Sequence, residues 1–250
     1  MNASARKILF LLSAAALAWT FFLGYRALPA VGFAHSNYGD TVNAITVPER
    51  HITDAVTDVN FDIRGFDTLG EEFILFTSII GTLLLMRRQP DESAGDHEDQ
   101  AAKRIIPTAS DAVRVTSLLM IAPIVLFGIY IVTHGQISPG GGFQGGVILA
   151  SAPLLLYLCA EYRAFRRVIS GRGVEVTESV GAAGYIVVGA IGLAAGGLFM
   201  QNVLPLGQSG SITSGGIVPL IDLAVGLEVA AGLSLAILVY LEELLEEKEQ

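Results

Sequence analysis

Uncharged apolar positions fall in long continuous blocks: Ile8 to Tyr25, Phe73 to Met86, Val115 to Thr133, Phe143 to Ala160 and Ser179 to Val203. A sixth, from Ile217 to Leu241, is broken only by Asp222 and Glu228. A helix needs ~20 apolar residues to cross ~30 Å of hydrocarbon, and these blocks cluster near that length. Barrel strands would show a polar residue at every second position, which the blocks lack, so helices are the way to satisfy the backbone in lipid. The pattern predicts an all-α integral membrane protein with six transmembrane helices. The second block is short. It spans only if its helix begins near Phe66 and carries Asp67, Glu71 and Glu72 at one end.

Composition agrees. Of 250 residues, 52% are hydrophobic and 16% charged, with a mean hydropathy of +0.58, more apolar surface than one soluble core can absorb. A net charge of -9 and the lack of a basic stripe with interleaved aromatics argue against nucleic acid. The single cysteine, Cys159, sits in an apolar run and reads as packing; it supports neither a disulfide framework nor a thiolate cluster. No cofactor is expected, because cysteine and histidine clusters are missing.

Basic residues resist translocation and gather on the cytoplasmic side. If the spans alternate, twelve of the fifteen fall on one side: Arg6, Lys7, Arg87, Arg88, Lys103, Arg104, Arg114, Arg163, Arg166, Arg167, Arg172 and Lys248. Arg26, Arg50 and Arg64 fall on the other. Both termini are thus expected in the cytoplasm, with the chain in the cell (inner) membrane among its lipids. The first block also has the basic start of a signal peptide, but it is long for one and lacks a clean small-residue cleavage site, so retention is expected. The polar stretch Gln89 to Ala109 reads as a cytoplasmic linker. It divides the chain into a two-helix unit (1–88), a linker (89–112) and a four-helix domain with an acidic tail (113–250).

The run Gly140-Gly141-Gly142-Phe143-Gln144-Gly145-Gly146 formally contains G-x-G-x-x-G. It sits between two spanning blocks, without the strand and βαβ unit that a dinucleotide site requires. A mechanical reading fits better: Gly135 closes the third helix in the left-handed conformation, Pro139 and the glycines turn the chain, and Gly142 and Gly146 share a face for close helix contact. Free amides at such a helix start would also let water or an ion approach. His134, at the end of the third span, either caps carbonyls, meets water or relays protons; no second ligand is spaced along that helix for a metal.

Glu228 is the sharpest signal. It lies ~16 to ~20 Å from either end of its block, near mid-membrane, where an ionised carboxylate facing lipid is costly. It is expected to point into protein or water, as a neutral acid bonded to a neighbouring helix or as part of a transport path. Asp222 lies nearer the outer surface, about 240° around the helix from Glu228, and reads as reaching outer water. Asp67 and Glu71, at i and i+4, complement a helix N-terminus or capture cations at an outer lip. Glu72, on the adjacent face, reads as snorkelling outwards.

At these residues the chain resembles a known family. His134-Gly135, Ser138-Pro139-Gly140-Gly141-Gly142-Phe143-Gln144-Gly145-Gly146, Asn202-Val203-Leu204-Pro205-Leu206-Gly207 and Gly226-Leu227-Glu228-Val229 are similar to the MnhB (MrpB) family of Mrp-type sodium/proton antiporter complexes. The segment Phe61 to Glu71 resembles the D-F-R-G-F-D-T-L-G-E stretch of MbhE-like subunits and of the end of the large MrpA subunit, with Ile63 in place of a phenylalanine. The resemblance implies a subunit of a multi-protein complex exchanging Na⁺ for H⁺, with Glu71 and Glu228 as ion or proton carriers and Pro139 and Phe143 in a hairpin the assembly needs. Related modules serve redox-driven complexes such as membrane-bound hydrogenases. The only lysines, Lys7, Lys103 and Lys248, lie outside the spans, so a complete proton relay is not expected within this chain. Three readings remain open: an antiporter subunit, a subunit of a redox-driven complex, and a structural scaffold.

Overall fold

The structure is a computed structural model, and it describes residues 3–28, 37–86, 110–160, 165, 167–169 and 171–243. The described part is helical and contains six helices long and apolar enough to cross a membrane. The chain divides into two compact units, Met1–Thr41 and Val42–Gln250. In the first, α1 (Ala3–Ala27) is unbroken; Trp19 stacks on Phe22 at 5.6 Å between ring centroids, and the Thr20 hydroxyl donates to the carbonyl of Ala16. The expected linker, but for its last three residues, and the acidic tail beyond Glu243 lie outside the described residues.

The second unit begins within α2 (Asn37–Arg50), which carries Pro48 in its last turn. Next come α3 (Ala55–Asp58), capped by the Asp54 side chain, a π-helical turn at Val59–Ile63, and α4 (Gly65–Leu85). α5 (Asp111–Thr133), α6 (Gly142–Ala160), α7 (Gly171–Ala194) and α8 (Val218–Glu243) complete it. The second span therefore begins at Gly65, as its acids require. The fifth is displaced. Its helix starts at Gly171, eight residues before the apolar block, and ends at Ala194, nine residues before the block does, because Gly196, at φ +82°, and Gly197 unwind the chain. The charged start is tolerated because one of its acids, Glu178, turns inward.

α8 is the hub. Val218, Ile221, Val225 and Val229 on it are fully buried and form a core with Ile52, Phe61, Tyr185, Met200 and Ile217. Glycines set the approach of its neighbours. A Cβ on Gly142 or Gly146 of α6 would stand 2.7 Å from Val225 or Val229, and one on Gly181 of α7 would stand 2.5 Å from the Glu228 backbone nitrogen. At Gly232 the Ile79 side chain of α4 fills the space a Cβ would need. The small-residue face expected at Gly142 and Gly146 is thus a helix contact of the kind that lets backbones close together.

The loops are tied by side chains. Asn202 donates to the Gly215 carbonyl at 2.9 Å and accepts from the Ile217 amide at 3.1 Å, which fixes the entry to α8. His51, at φ 58°, places Nδ1 2.6 Å from the Gly207 carbonyl, and the Thr53 amide donates to the Gln136 carbonyl at 3.0 Å. The segment after α2 therefore binds the loops that precede α6 and α8. Gly135 does not close α5 in the left-handed conformation as expected. Positive φ falls instead on Gly140 (151°) and Gly141 (122°), and what Gly135 supplies is space, since a Cβ there would meet the Asp222 carboxyl and Gly141.

Candidate functional site

Three acids from three helices are buried in the span region: Glu72 on α4, Glu178 on α7 and Glu228 on α8, at 5%, 3% and 0% exposure. At 1.5 Å per residue, Glu72 lies ~10 Å from the start of α4 and Glu228 ~15 Å from the start of α8, while Glu178 lies ~10 Å from the opposite end of the bundle, at the start of α7. Tertiary contacts agree with this order. The Glu178 carboxyl passes 3.2 Å from the point where a Cβ on Gly232 would stand, one turn beyond Glu228. Ile79, two turns after Glu72 on α4, meets the same Gly232. The acids form a descending row, not a cage: among the described residues, no three histidine, cysteine or acidic side chains are placed to hold a metal ion.

Glu228 is the least satisfied member. Both of its carboxyl oxygens are buried and neither accepts a hydrogen bond from the described residues. Glu72 Oε2 and Glu178 Oε1 are in the same condition. A buried carboxylate left unpaired costs several kcal/mol, so the row requires a proton, a cation, water or a partner's donor to neutralise it. The surroundings are ordered. On α7 the buried positions Glu178, Gly181, Tyr185, Gly189 and Gly192 share one face, and the Tyr185 hydroxyl donates to the Gly65 carbonyl at 2.8 Å, pinning α7 to the start of α4. Thr68 donates to the Asn60 carbonyl at 2.7 Å and locks that start to the π-helical turn.

The other predicted residues are distributed differently. Asp67 is exposed and pairs with Arg64, Nε to Oδ2 at 2.6 Å. Glu71 is exposed on α4, whereas Glu72, read as snorkelling outwards, is the acid that turns inward. That reading fails because Thr68, Glu72 and Ile79 form the face of α4 that packs into the bundle. Asp222 does not reach outer water either. It is fully buried and accepts the Gly142 amide at 2.7 Å, closing the start of α6 across the bundle; a hub helix buries both sides, so the 240° between the two acids exposes neither. His134 does what a capping histidine does: Nδ1 lies 2.9 Å from the Tyr130 carbonyl and its ring stacks on Tyr130 at 4.1 Å. In the hairpin, Gly141, Gly142, Gly145 and Gly146 are buried, while Pro139, Phe143 and Gln144 are exposed.

Sequence reasoning missed Glu178, because the apolar block was opened one residue after it. The spacing Glu178, Gly181, Tyr185, Gly189, Gly192 repeats at three and four residues, and that period marked Glu178 as a continuation of a packing face. On the side that carries Arg50 and Arg64, a second buried group also went unread. Asp58 is fully buried and accepts the Thr46 hydroxyl at 2.6 Å, and Asp62 lies 3.4 Å from Arg50 Nε. Burial raises both carboxyls above the ordinary aspartate range, opposed by the Thr46 hydroxyl at Asp58 and by the Arg50 charge at Asp62.

Residues 112–235 match a family model described as a domain related to the MnhB subunit of Na⁺/H⁺ antiporter. One chain of the membrane-bound sulfane sulfur reductase, an archaeal respiratory membrane complex, aligns with 32% identity over 95% of this chain and 98% of its own, with a TM-score of 0.71. The chain belongs to the MnhB family. An uncharacterized protein of Methanocaldococcus jannaschii is 29% identical over 88% of this chain and 89% of its own length. A Na⁺/H⁺ antiporter subunit of Alkalihalophilus pseudofirmus is 39% identical over 56 residues, 22% of this chain and 36% of that protein. The fold also recurs in the Mrp complex from Dietzia sp., at a TM-score of 0.67 and 21% identity over 95% of this chain and 26% of that one. This MnhB-family chain is a multi-pass membrane subunit of an Mrp-type or related respiratory membrane complex, and other membrane subunits are its partners.

Proposed function

We propose that this MnhB-family subunit contributes the acids Glu72, Glu228 and Glu178 to a proton or Na⁺ path of a monovalent cation/proton antiporter. The observation that carries the reading is Glu228: a fully buried carboxyl whose two oxygens have no donor among the described residues, flanked by two further buried acids. Intramembrane acids in such surroundings mark ion routes more often than they stabilise a fold. Glu71 and Asp67, exposed on the surface of α4, face whatever borders the subunit there and would extend the route to a neighbour. The first 88 residues act as an MbhE-like segment joined to the four-helix domain, and the chain sits in the cytoplasmic membrane with both termini inside, as its basic residues support. Alone it transports nothing, since it offers acids without an intramembrane lysine.

The test is Na⁺-driven proton movement in everted vesicles carrying the whole complex, with Glu228→Gln and Glu72→Gln. Loss of exchange at normal subunit stoichiometry supports the path. Wild-type exchange in both variants, with assembly intact, leaves the chain a scaffold. A second reading, a subunit of a redox-driven complex, is favoured by the match to the sulfane sulfur reductase chain over nearly its whole length. Purification in mild detergent followed by mass spectrometry of the co-purifying subunits decides between them: iron–sulfur or nickel-site subunits in stoichiometric amounts favour the redox complex.

A further inference from the structure

The start of α6 is assembled around a carboxylate. Asp222 Oδ1 accepts the Gly142 amide at 2.7 Å, whereas Oδ2, equally buried, has no donor among the described residues. Neither ion pair of the described residues involves Asp222. The chain around it is unwound from His134 to Gly141, and the absence of two side chains makes room: Cβ atoms would stand 2.5 Å from Oδ2 at Gly135 and 2.8 Å from Oδ1 at Gly141. The Gln144 amide oxygen lies 3.6 Å from that same Gly141 point, so a carboxyl and a carbonyl oxygen converge on one place. Next to Gly135, Gln136 is fully buried with its own Oε1 unpartnered, its amide nitrogen spent on the Ile212 carbonyl at 2.6 Å.

A cap alone needs one oxygen. Carboxylate and carbonyl oxygens at an unwound stretch of a membrane helix are the ligands that a small hard cation takes in place of its water. We propose that Asp222, with the Gln144 amide oxygen and the glycine hairpin, binds a monovalent hard cation, Na⁺ being the probe, at a station separate from Glu228. The arrangement gives the hairpin glycines a purpose beyond turning the chain: they leave the carboxyl room on two sides. This deepens the antiporter reading and rests on it, by assigning the cation to the hairpin and leaving the proton to the row of glutamates.

The experiment uses the purified complex and does not require transport. A ligand that binds only the folded state raises the unfolding midpoint with its concentration. The midpoint is followed against NaCl, with choline chloride at equal ionic strength as the control, for wild type, Asp222→Asn and Gln144→Ala. Asn keeps an acceptor for the Gly142 amide and removes the charge. The expected result is a roughly tenfold or greater rise in the Na⁺ concentration giving half the stabilisation for Asp222→Asn and a smaller rise for Gln144→Ala. An unchanged Na⁺ response in Asp222→Asn overturns the proposal. If Asp222→Asn does not assemble, an unchanged response in Gln144→Ala overturns it and leaves Asp222 as a cap only. Normal exchange in Glu228→Gln together with a Na⁺ response lost in Asp222→Asn would instead reject the glutamate path and keep the hairpin site.

Discussion

α5 and α8 are both long apolar helices of the same bundle, and they meet opposite fates. α5 runs without charge from Val115 to Thr133, buries little beyond Gly128 and Val132, and turns Leu119, Leu126 and Phe127 away from the bundle at 66%, 69% and 53% exposure. α8 carries two acids inside its apolar stretch, Asp222 and Glu228, and packs against α4, α6 and α7. Apolarity qualifies a helix for the membrane; it does not decide whether lipid, a partner or its own chain covers it. The acids decide, because a carboxyl must be sheltered and a leucine need not be. The small residues that border them decide how closely the shelter fits.

Substitutions on these helices and their neighbours put the contrast to the test. Glu228→Gln is expected to lower Na⁺/H⁺ exchange by roughly tenfold or more in the assembled complex, measured as Na⁺-dependent collapse of a pH gradient in everted vesicles. Placing an acid where α8 tolerates one and α5 should not, Leu126→Glu, is expected to cost ~2.5–3.5 kcal/mol of insertion. Its measure is the amount of subunit recovered in the membrane; wild-type recovery would mean that the exposed side of α5 meets water or a polar partner.

Gly181→Val drives a branched side chain into the Glu228 backbone and is expected to destabilise the α7–α8 contact by ~1–3 kcal/mol, read as a lowered unfolding midpoint of the complex. The two neighbouring acids of α4 give a finer comparison. Glu72→Gln is expected to reduce exchange several-fold more than Glu71→Gln, since only Glu72 enters the bundle; the reverse order would place the route on the subunit surface. The smallest effect concerns pH. The native carboxyl of Asp58 is raised by burial, so its contribution favours the fold at low pH and is lost as pH rises through the native value. Asp58→Asn is therefore expected to weaken the loss of protease resistance of the 42–63 segment as pH rises above the ordinary aspartate range, in a limited-proteolysis series against pH.

Much of this was legible in the sequence. Charge-free blocks of spanning length announced six helices, and an acid at mid-block announced its own burial, because lipid leaves a carboxyl no cheaper alternative. Glycines four residues apart in the hairpin announced a close contact. The edges were harder. The Ser179 boundary excluded Glu178, since hydropathy treats a charge as the end of a span even when that charge points inward. Glu71 and Glu72 are adjacent and chemically identical, and only the packing of Ile79 against Gly232 tells which of them faces the bundle.

Composition and periodicity alone determined the membrane, the helices and the depth of Glu228, since all three follow from how apolar and charged residues partition along a helix axis. The tertiary structure alone decided the rest: that α8 is the hub, that Glu72 and Glu178 join Glu228, and that Asp222 seats in a glycine hairpin. Depth is a property of one helix and its sequence. Direction around the axis is set by which neighbours come close, and that depends on contacts between residues distant in sequence, such as His51 and Gly207, 156 positions apart.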